Sequence, residues 1–285
     1  MTEPKSFVKR VRDQLEQLSP TERRLADFTL DFPGDLAGYT ASELAALTHV
    51  SNATVTRFVR RLGYNSYDHA RKHIRSEREA GSPLLLAEVK HSTTDEGLQA
   101  QLQQAIRNLN QSFNRWSPEL LGQLAKQILE ARKLWLIGYR SNHALATYLR
   151  WQLLQIAPHA QVIPGPGETL AEHFAGLGAE DMVIVFALRR RVQRTHQLVT
   201  QAAKQQAKVL FITDQHNHNH PQATWNMRCD VQSPGVLDNH VSVIALCHLL
   251  ATYTMQAAGA AGRRHLGSVE AQHDVFNELE EPPQG

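Results

Sequence analysis

The segment FALRRRVQRTH, residues 186 to 196, concentrates positive charge directly after an apolar run. Arg189, Arg190 and Arg191 are consecutive, and Arg194 follows three positions after the last of them. Guanidinium groups bind carboxylates and phosphates through paired hydrogen bonds and keep their charge at physiological pH. A nucleic-acid patch, an anion-binding loop and a solvated helix start all fit this segment alone, so its role depends on the elements around it.

A second basic segment lies in the amino-terminal third, although the formal net charge of the 285 residues is only +2. In this segment, residues 51 to 75, the basic residues are Arg57, Arg60, Arg61, Arg71, Lys72 and Arg75, and the one acidic residue is Asp68. A local excess of this kind is typical of segments that bind nucleic acid, and a solvated basic face has the same composition.

Capping motifs predict three short helices around this second segment. The motifs SPTE at 19 to 22 and TASE at 40 to 43 are capping boxes, in which a hydroxyl and a glutamate satisfy the first free amides of a helix. Ser51 is the expected cap of a third helix, which Gly63 ends in the left-handed conformation. The apolar residues of the third helix have helical spacing and predict one buried stripe: Val55, Phe58, Val59 and Leu62.

The second and third of these helices are arranged like a helix-turn-helix, in which the later helix lies in the major groove. We expect His49 to take the positive φ that glycine often supplies in such a turn. Asparagine and arginine recognise base edges, and arginines further along a helix reach phosphates. The predicted DNA-binding residues are Ser51, Asn52, Thr54, Thr56, Arg57, Arg60 and Arg61. An ordinary helical hairpin is the alternative.

Short apolar runs alternate with helical stretches from Lys133 onward. The predicted strands are LWLIGY, AQVIPG, MVIVFAL, KVLFITD and a weaker CDVQ, followed by a long helix from about Asn239 to Ala257. Continuous apolar strands separated by helices indicate a parallel sheet covered on both faces. The predicted fold is therefore an all-α domain joined to an α/β domain with a five-stranded parallel sheet in flavodoxin-like layers. Ligands of such sheets bind at the carboxyl ends of the strands, here the loops GYRSNH, PGPGE and ALRRRVQRT.

Turn-forming residues and changes of pattern predict the domain organisation. The predicted divisions are a DNA-binding domain at 1–79, a linker at 80–97, an effector-binding and dimerisation domain at 98–267 and a disordered tail at 268–285. Leu84, Leu85 and Leu86 in the linker are expected to pack on a partner subunit.

The stretches LSPTERRLADFTLDFP and YTASELAALTHVSNATVTRFVRRLGYNSYDHARKHI resemble the DNA-binding domain of the RpiR family of bacterial transcription regulators. The strands and helices that follow resemble a sugar isomerase (SIS) domain. This resemblance implies a cytoplasmic regulator that associates with the nucleoid when bound to double-stranded operator DNA. It also implies a homodimer or homotetramer whose SIS domain senses a small molecule, often a phosphosugar.

The chain departs from the family pattern at the expected sugar-phosphate site. The SIS motif S-x-S-G-x-T is replaced by Ala187, Arg189, Arg190 and Val192, and Arg140 stands at the second glycine of G-x-G-x-S. We therefore expect a small anionic effector, a phosphosugar or a carboxylate. The predicted effector-binding residues are Gly138, Arg140, Ser141, Asn142, Arg189, Arg190 and Arg191. Alternatively, the arginines contact acidic residues of a partner subunit or are solvated.

Other classes of function have weaker support in the sequence. A sugar-phosphate isomerase is the main rival, with conceivable bases at His143, Glu168, His173, His240 and Glu270, but no pair of them stands out and no catalytic residue is assigned. Cys229 and Cys247 are too few for a disulfide framework. The loop histidines His216, His218 and His220 favour a polar surface loop over a metal site. No cofactor, metal, membrane span or secretion signal is predicted.

Overall fold

The structure is a computed structural model that describes residues 6–31, 35–79, 95–189, 191–215, 219–235 and 237–279. The chain divides into two compact units, residues 1–99 with 234–237 and residues 100–233 with 238–285, and each is described by itself. The predicted linker falls mostly outside the described residues, as do Leu84, Leu85 and Leu86. Its last residues, 95–97, belong to a helix.

The first unit is built from helices, as predicted. They are α1 Phe7–Gln14, α2 Pro20–Asp31, α3 Ala41–Leu47, α4 Asn52–Arg61 and α5 Tyr67–Glu79. Each helix contributes a fully buried side chain to one core: Phe7, Leu25, Leu44, Phe58 and Ile74. This core fixes α3 and α4 against each other with a short turn between them.

The caps that the sequence predicts are present. The amides of Ser19 and Thr40 donate to Glu22 at 3.0 Å and to Glu43 at 2.7 Å, which completes both capping boxes. The Ser51 hydroxyl accepts from the Thr54 amide at 3.2 Å and begins α4. His49 has φ 52° in the turn before α4, and Gly63 has φ 87° after it. These local predictions are confirmed.

The second unit contains a five-stranded parallel sheet in the order β2-β1-β3-β4-β5. The strands are β1 Leu134–Gly138, β2 Ala160–Val162, β3 Met182–Ala187, β4 Lys208–Asp214 and β5 Trp225–Cys229. The helices are α6 Asp95–Phe113, α7 Pro118–Glu130, α8 Ser141–Leu154, α9 Leu170–Phe174, α10 Thr195–Lys204 and α11 Val241–Phe276. The predicted fold class is confirmed.

Alternating strand residues pack against helices on opposite faces of this sheet. Leu136, Ile184 and Leu210 lie in a core shared with α7, α8 and α11. Trp135 and Phe211 lie in the other core, with α9 and α10. Because helices cover both faces of the sheet, ligands of such a fold bind at the carboxyl ends of the strands, where the loops begin.

Two predicted elements differ from the structure. The last strand is Trp225–Cys229 rather than CDVQ at 229 to 232. The last helix, α11, continues past Ala257 to Phe276 across a kink at Gly259, where φ is 53° and ψ is −128°. The prediction of a disordered tail is therefore wrong for residues 268–276, and residues 280–285 lie outside the described ranges.

The helix α11 is the one described helix that is long and apolar enough to cross a membrane, judged by length and composition alone. Val243, Leu246 and Leu250 of this helix are fully buried in the domain core. Core helices of globular domains share these properties, and we interpret α11 as one of them.

Candidate functional site

The helix α4 presents most of the predicted DNA-binding residues at its surface. Ser51, Asn52, Arg57, Arg60 and Arg61 are exposed. Ser51 acts as the helix cap through its hydroxyl. Among the other four, Asn52 is near the amino end of α4, where a recognition helix contacts base edges. Its side-chain amide donates to the Ser42 hydroxyl of α3 at 3.1 Å, which orients the asparagine on the surface.

The Thr56 hydroxyl donates to the Asn52 carbonyl at 3.0 Å, and Thr54 and Arg61 are held more firmly by contacts within the unit. Thr54 is buried, and its hydroxyl lies 2.9 Å from that of Ser51. Arg61 forms an ion pair with the buried Glu22 at 3.3 Å and donates to the Gln17 carbonyl. We therefore assign packing and bracing roles to Thr54 and Arg61, while direct DNA contact by Asn52, Arg57 and Arg60 stays a prediction.

Two arginines of the basic segment form hydrogen bonds with backbone carbonyls of the same unit. Arg71 donates to the carbonyl groups of Ala37 and Gly38, at 3.0 and 3.3 Å. Arg75 donates to Ala37 as well, at 3.2 Å. These guanidinium groups satisfy carbonyls at the end of a short turn, so fewer of them are available for direct contact with DNA than the charge count suggests.

The second candidate surface is the carboxyl edge of the sheet, where strand order reverses between β1 and β3. Gly138 at the end of β1 pairs with Phe186 of β3, so the two following loops are adjacent. Asn142 ties them together because its side chain accepts from the Leu188 amide at 3.2 Å and donates to the Leu188 carbonyl at 3.5 Å. Crevices at such reversal points are the usual ligand sites of these sheets.

The β1 loop is tight, and each of its predicted site residues has a defined place. A Cβ on Gly138 would lie 2.2 Å from the Asn142 carbonyl oxygen, so only glycine fits. Arg140 has φ 58° and ψ −130°, a conformation that glycine adopts readily and other residues avoid. The side chains of Arg140 and Ser141 are exposed at the start of α8. Asn142 is buried and its side chain links the two loops, while its direct contact with the effector stays a prediction.

The charge of Arg189 is balanced by an aspartate from a distant part of the chain. Its guanidinium forms an ion pair with Asp238 at 2.9 Å, and the arginine side chain is 11% exposed. Asp238 lies in the segment just before α11. An anion that reaches Arg189 must therefore share this arginine with Asp238 or displace the carboxylate.

Arg191 is half-buried near an aspartate and two histidines. Burial lowers its pKa, and the carboxylate of Asp214 at the end of β4 acts in the opposite direction. The rings of His196 and His220 stack beside it with centroids 5.1 Å apart. Burial and the charge of Arg191 lower the pKa of His196, and burial does the same for His220. Both imidazoles are therefore neutral at pH 7 and leave the positive charge on Arg191.

Arg190, His216 and His218, which the sequence analysis considered for the anion and metal sites, also lie outside the described residues. His220 is described, and it is buried against His196 and Phe211. Within the described ranges, no three His, Cys, Asp or Glu side chains are grouped so that they could hold a metal ion.

A cleft of about 650 Å³ lies beside β2, between α8 and the loop that follows the strand. His143 and Arg150 of α8 line one wall, and Glu168 and His173 line the other. The Gly165 amide donates to Glu168 at 2.6 Å, and His173 lies 2.9 Å from the same carboxylate oxygen. These two hydrogen bonds lower the pKa of Glu168, so the carboxylate is ionised at neutral pH.

Two family models match this chain, one in the helical amino-terminal region and one in the region of the parallel sheet. The family model described as "Helix-turn-helix domain, rpiR family" matches residues 5–80, and the SIS domain model matches residues 127–253. The chain belongs to the RpiR family. It is an HTH-type transcriptional regulator of this family with an SIS domain.

Individual relatives of this RpiR-family regulator cover most of its length at low identity. The HTH-type transcriptional regulator HexR of Pseudomonas aeruginosa is 20% identical over 91% of this chain and 90% of its own. The Vibrio vulnificus NanR protein, solved in complex with ManNAc-6P, has a TM-score of 0.57 at 19% identity and covers 96% of this chain and 99% of its own. The sugar isomerase domain of an RpiR transcription factor from Sphaerobacter thermophilus has a TM-score of 0.56 at 23% identity, covering 61% of this chain and 97% of that domain.

The sequence of this RpiR-family chain did not predict that two aspartates and two histidines lie beside the arginines. Asp214 ends β4 and Asp238 precedes α11, so they come close to the arginines only in the folded domain. The position of Asp214 at the end of a predicted strand was an available signal. Nothing in the sequence spacing indicated that His196 stacks on His220 or that Glu168 pairs with His173.

Proposed function

We propose that this RpiR-family regulator binds double-stranded operator DNA through α4 and that a small anionic effector, bound between the β1 and β3 loops, controls its affinity for the operator. The observation that supports the effector proposal is the pair of hydrogen bonds between Asn142 and Leu188, which links the loop of Arg140 and Ser141 to the loop of Arg189 and Arg191. The two loops flank the point where strand order reverses, and ligands of such sheets bind in the crevice at that point.

The charges of the crevice support an effector with an anionic group and several hydroxyls. Arg191 is the preferred anion ligand because it is half-buried and the adjacent histidines are neutral. The carboxylates of Asp214 and Asp238 accept hydrogen bonds, which suits sugar hydroxyls. NanR, which shares the fold, was solved with a sugar phosphate, so a phosphosugar is the first candidate and a sugar acid the second.

Control of DNA affinity requires that the effector bind one arrangement of the protein better than another. We propose a cytoplasmic homodimer or homotetramer, associated with the nucleoid when DNA-bound and not with a membrane. Two symmetry-related copies of α4 would contact half-sites about 10 base pairs apart, or a multiple of that spacing.

The effector proposal is tested by thermal stabilisation of the full-length protein with a panel of phosphosugars and sugar acids. A ligand that binds the folded state raises the melting temperature. We expect a hit that Arg191→Ala abolishes and that Lys204→Ala, at the far end of α10, preserves. A hit that survives Arg191→Ala would place the effector elsewhere.

The DNA proposal is tested with a duplex selected by the protein from a random-sequence pool. Arg57→Ala and Arg60→Ala should each weaken binding, and the salt slope should fall by about one for each lost phosphate contact. Arg23→Ala removes an equal charge from the exposed surface of α2 and serves as the control. Equal losses in all three variants would show that net charge, and not α4, determines binding.

A catalytic alternative has one observation in its favour, the ionised Glu168 hydrogen-bonded to His173 in the cleft beside β2. A carboxylate held in this way could serve as the base of a sugar isomerase. Incubating the protein with the phosphosugar hit and following it by NMR distinguishes the two functions. We expect no turnover; turnover that Glu168→Gln abolishes would establish the enzyme.

A further inference from the structure

The outward face of α4 carries two small side chains between its polar residues. Ala53 is exposed and Thr56 is partly exposed. They are three positions apart and are therefore neighbours on one face of the helix. With 3.6 residues per turn, the order around this face is Asn52, Thr56, Ala53 and Arg57. The two small residues thus lie between an exposed amide and an exposed guanidinium group.

The hydrogen bond of Thr56 turns its methyl group into the part of the side chain that a partner meets. The Thr56 hydroxyl donates to the Asn52 carbonyl one turn earlier, at 3.0 Å, so its oxygen is tied to the backbone of the helix. Ala53 offers a methyl group as its whole side chain. Together the two methyl groups form a small apolar patch on a face that is otherwise polar and basic.

The polar neighbours of this patch are held by hydrogen bonds of their own. One N–H of the Asn52 amide donates to the Ser42 hydroxyl at 3.1 Å, which leaves the second N–H and the carbonyl oxygen for a partner. One donor beside one acceptor is the pair that matches the major-groove edge of adenine. On the other side of the patch, Arg57 donates to the Thr54 hydroxyl at 3.3 Å.

We propose that Ala53 and Thr56 read the 5-methyl group of thymine in each half-site of the operator. This methyl is the apolar group that an A·T pair presents in the major groove, and it makes apolar contacts with alanine and with the threonine methyl. The adenine edge that suits Asn52 belongs to the same kind of base pair. The inference rests on the proposed binding of DNA through α4, and it adds the base that this helix selects.

Replacing thymine by uracil tests the proposal, because uracil forms the same base pair and lacks only the methyl group. The probe is the duplex that the full-length protein selects from a random-sequence pool, with one thymine changed at a time. We expect a position in each half-site at which uracil weakens binding about fourfold, the effect of losing one buried methyl group. A pool that yields no bound duplex would overturn the proposed DNA function and this inference together. A selected duplex that tolerates uracil at every position would overturn this inference alone.

A double-mutant cycle locates the contact on the protein. Thr56→Ser removes one methyl group and keeps the hydroxyl that bonds to Asn52. The variant should lose affinity for the thymine duplex and lose less for the uracil duplex, from which the partner methyl is already absent. Thr21→Ser, at an exposed position of α2, is the matched control and should leave both affinities unchanged. Equal losses by Thr56→Ser on the two duplexes would overturn the proposal.

A longer side chain at Ala53 tests the other half of the patch. Ala53→Gln should weaken binding and remove the preference for thymine over uracil, because the added atoms occupy the space of the base edge. Its melting temperature should stay close to that of the wild type, since Ala53 is exposed and glutamine is a good helix former. A variant that keeps the wild-type affinity and the fourfold preference would also overturn the proposal.

Discussion

At the scale of single residues, Arg140 is the clearest case of a residue held in an unfavourable backbone conformation. Its φ of 58° and ψ of −130° suit glycine, which the family motif has at this position. Such a conformation costs a non-glycine residue about 1 to 3 kcal/mol. We expect Arg140→Gly to raise the free energy of unfolding by about 1 kcal/mol, measured by urea denaturation, and to weaken effector binding.

The matched control for this prediction is Arg140→Ala, which removes the guanidinium but keeps a Cβ. If strain is the cause, Arg140→Ala should give no comparable gain in stability. Equal stabilisation by both substitutions would assign the effect to the lost charge instead of the backbone.

The stacked histidines beside Arg191 predict a dependence of stability on pH. Burial and nearby positive charge lower the pKa of His196, and burial lowers that of His220. In the unfolded chain both bind protons near pH 6.5. As the pH falls below about 6.5 the unfolded state gains protons that the folded state does not take up, so stability decreases until the folded pKa values are passed.

Urea denaturation of the protein between pH 7.5 and 5 measures this loss. His196→Gln should flatten the dependence of the unfolding free energy on pH, whereas the exposed His248→Gln should leave it unchanged. If both variants retain the wild-type slope, other groups are responsible for the acid sensitivity.

At the scale of elements, the cap of α4 links local sequence to DNA binding. The Ser51 hydroxyl accepts from the Thr54 amide and contacts the Thr54 hydroxyl. We expect Ser51→Ala to lower the free energy of unfolding by about 1 kcal/mol, because an amide at the helix start loses its partner. Ser76→Ala, at an exposed position inside α5, is the control and should change stability little. A loss no larger than that of the control would refute the capping role.

Elements whose own residues carry a capping motif or a continuous apolar run were predictable from the sequence. An element that forms only because it pairs with a neighbouring strand was not. Both capping boxes and the apolar strands β1, β3 and β4 carry their signal in their own residues. The last strand, WNMRC, is only partly buried and becomes a strand because it pairs with β4. The sequence places the end of the last helix near Ala257, two residues before the kink at Gly259, but not its continuation.

At the scale of the whole molecule, the chain has separate hydrophobic cores in its two units. We expect calorimetry to resolve two unfolding transitions, each governed by its own core. Phe58→Ala should destabilise the first unit by about 3 to 5 kcal/mol, and Leu210→Ala the second by about 2 to 5 kcal/mol. Effector should raise only the transition that Leu210→Ala lowers. A single transition that responds to both substitutions would contradict this expectation.

The topology of the whole sheet also limits what sequence could reveal about the site. The arginine run and the β1 loop could be placed at one edge because parallel strands align their carboxyl ends. The partners of those arginines come from elsewhere: Asp214 ends β4, and Asp238 precedes α11. Only their assembly in space pairs Arg189 with Asp238 and brings Asp214 close to Arg191.

The two cysteines have a practical consequence for studying this regulator in solution. Cys229 and Cys247 are both buried, and burial raises the pKa of each thiol, that of Cys247 to about 12. Thiolate, the form that reacts with maleimide dyes, is therefore scarce at both positions. A cysteine introduced at an exposed site of α5 would accept a fluorophore selectively in the otherwise native chain. Fluorescence anisotropy could then follow operator binding and effector response without removing a natural residue from the core.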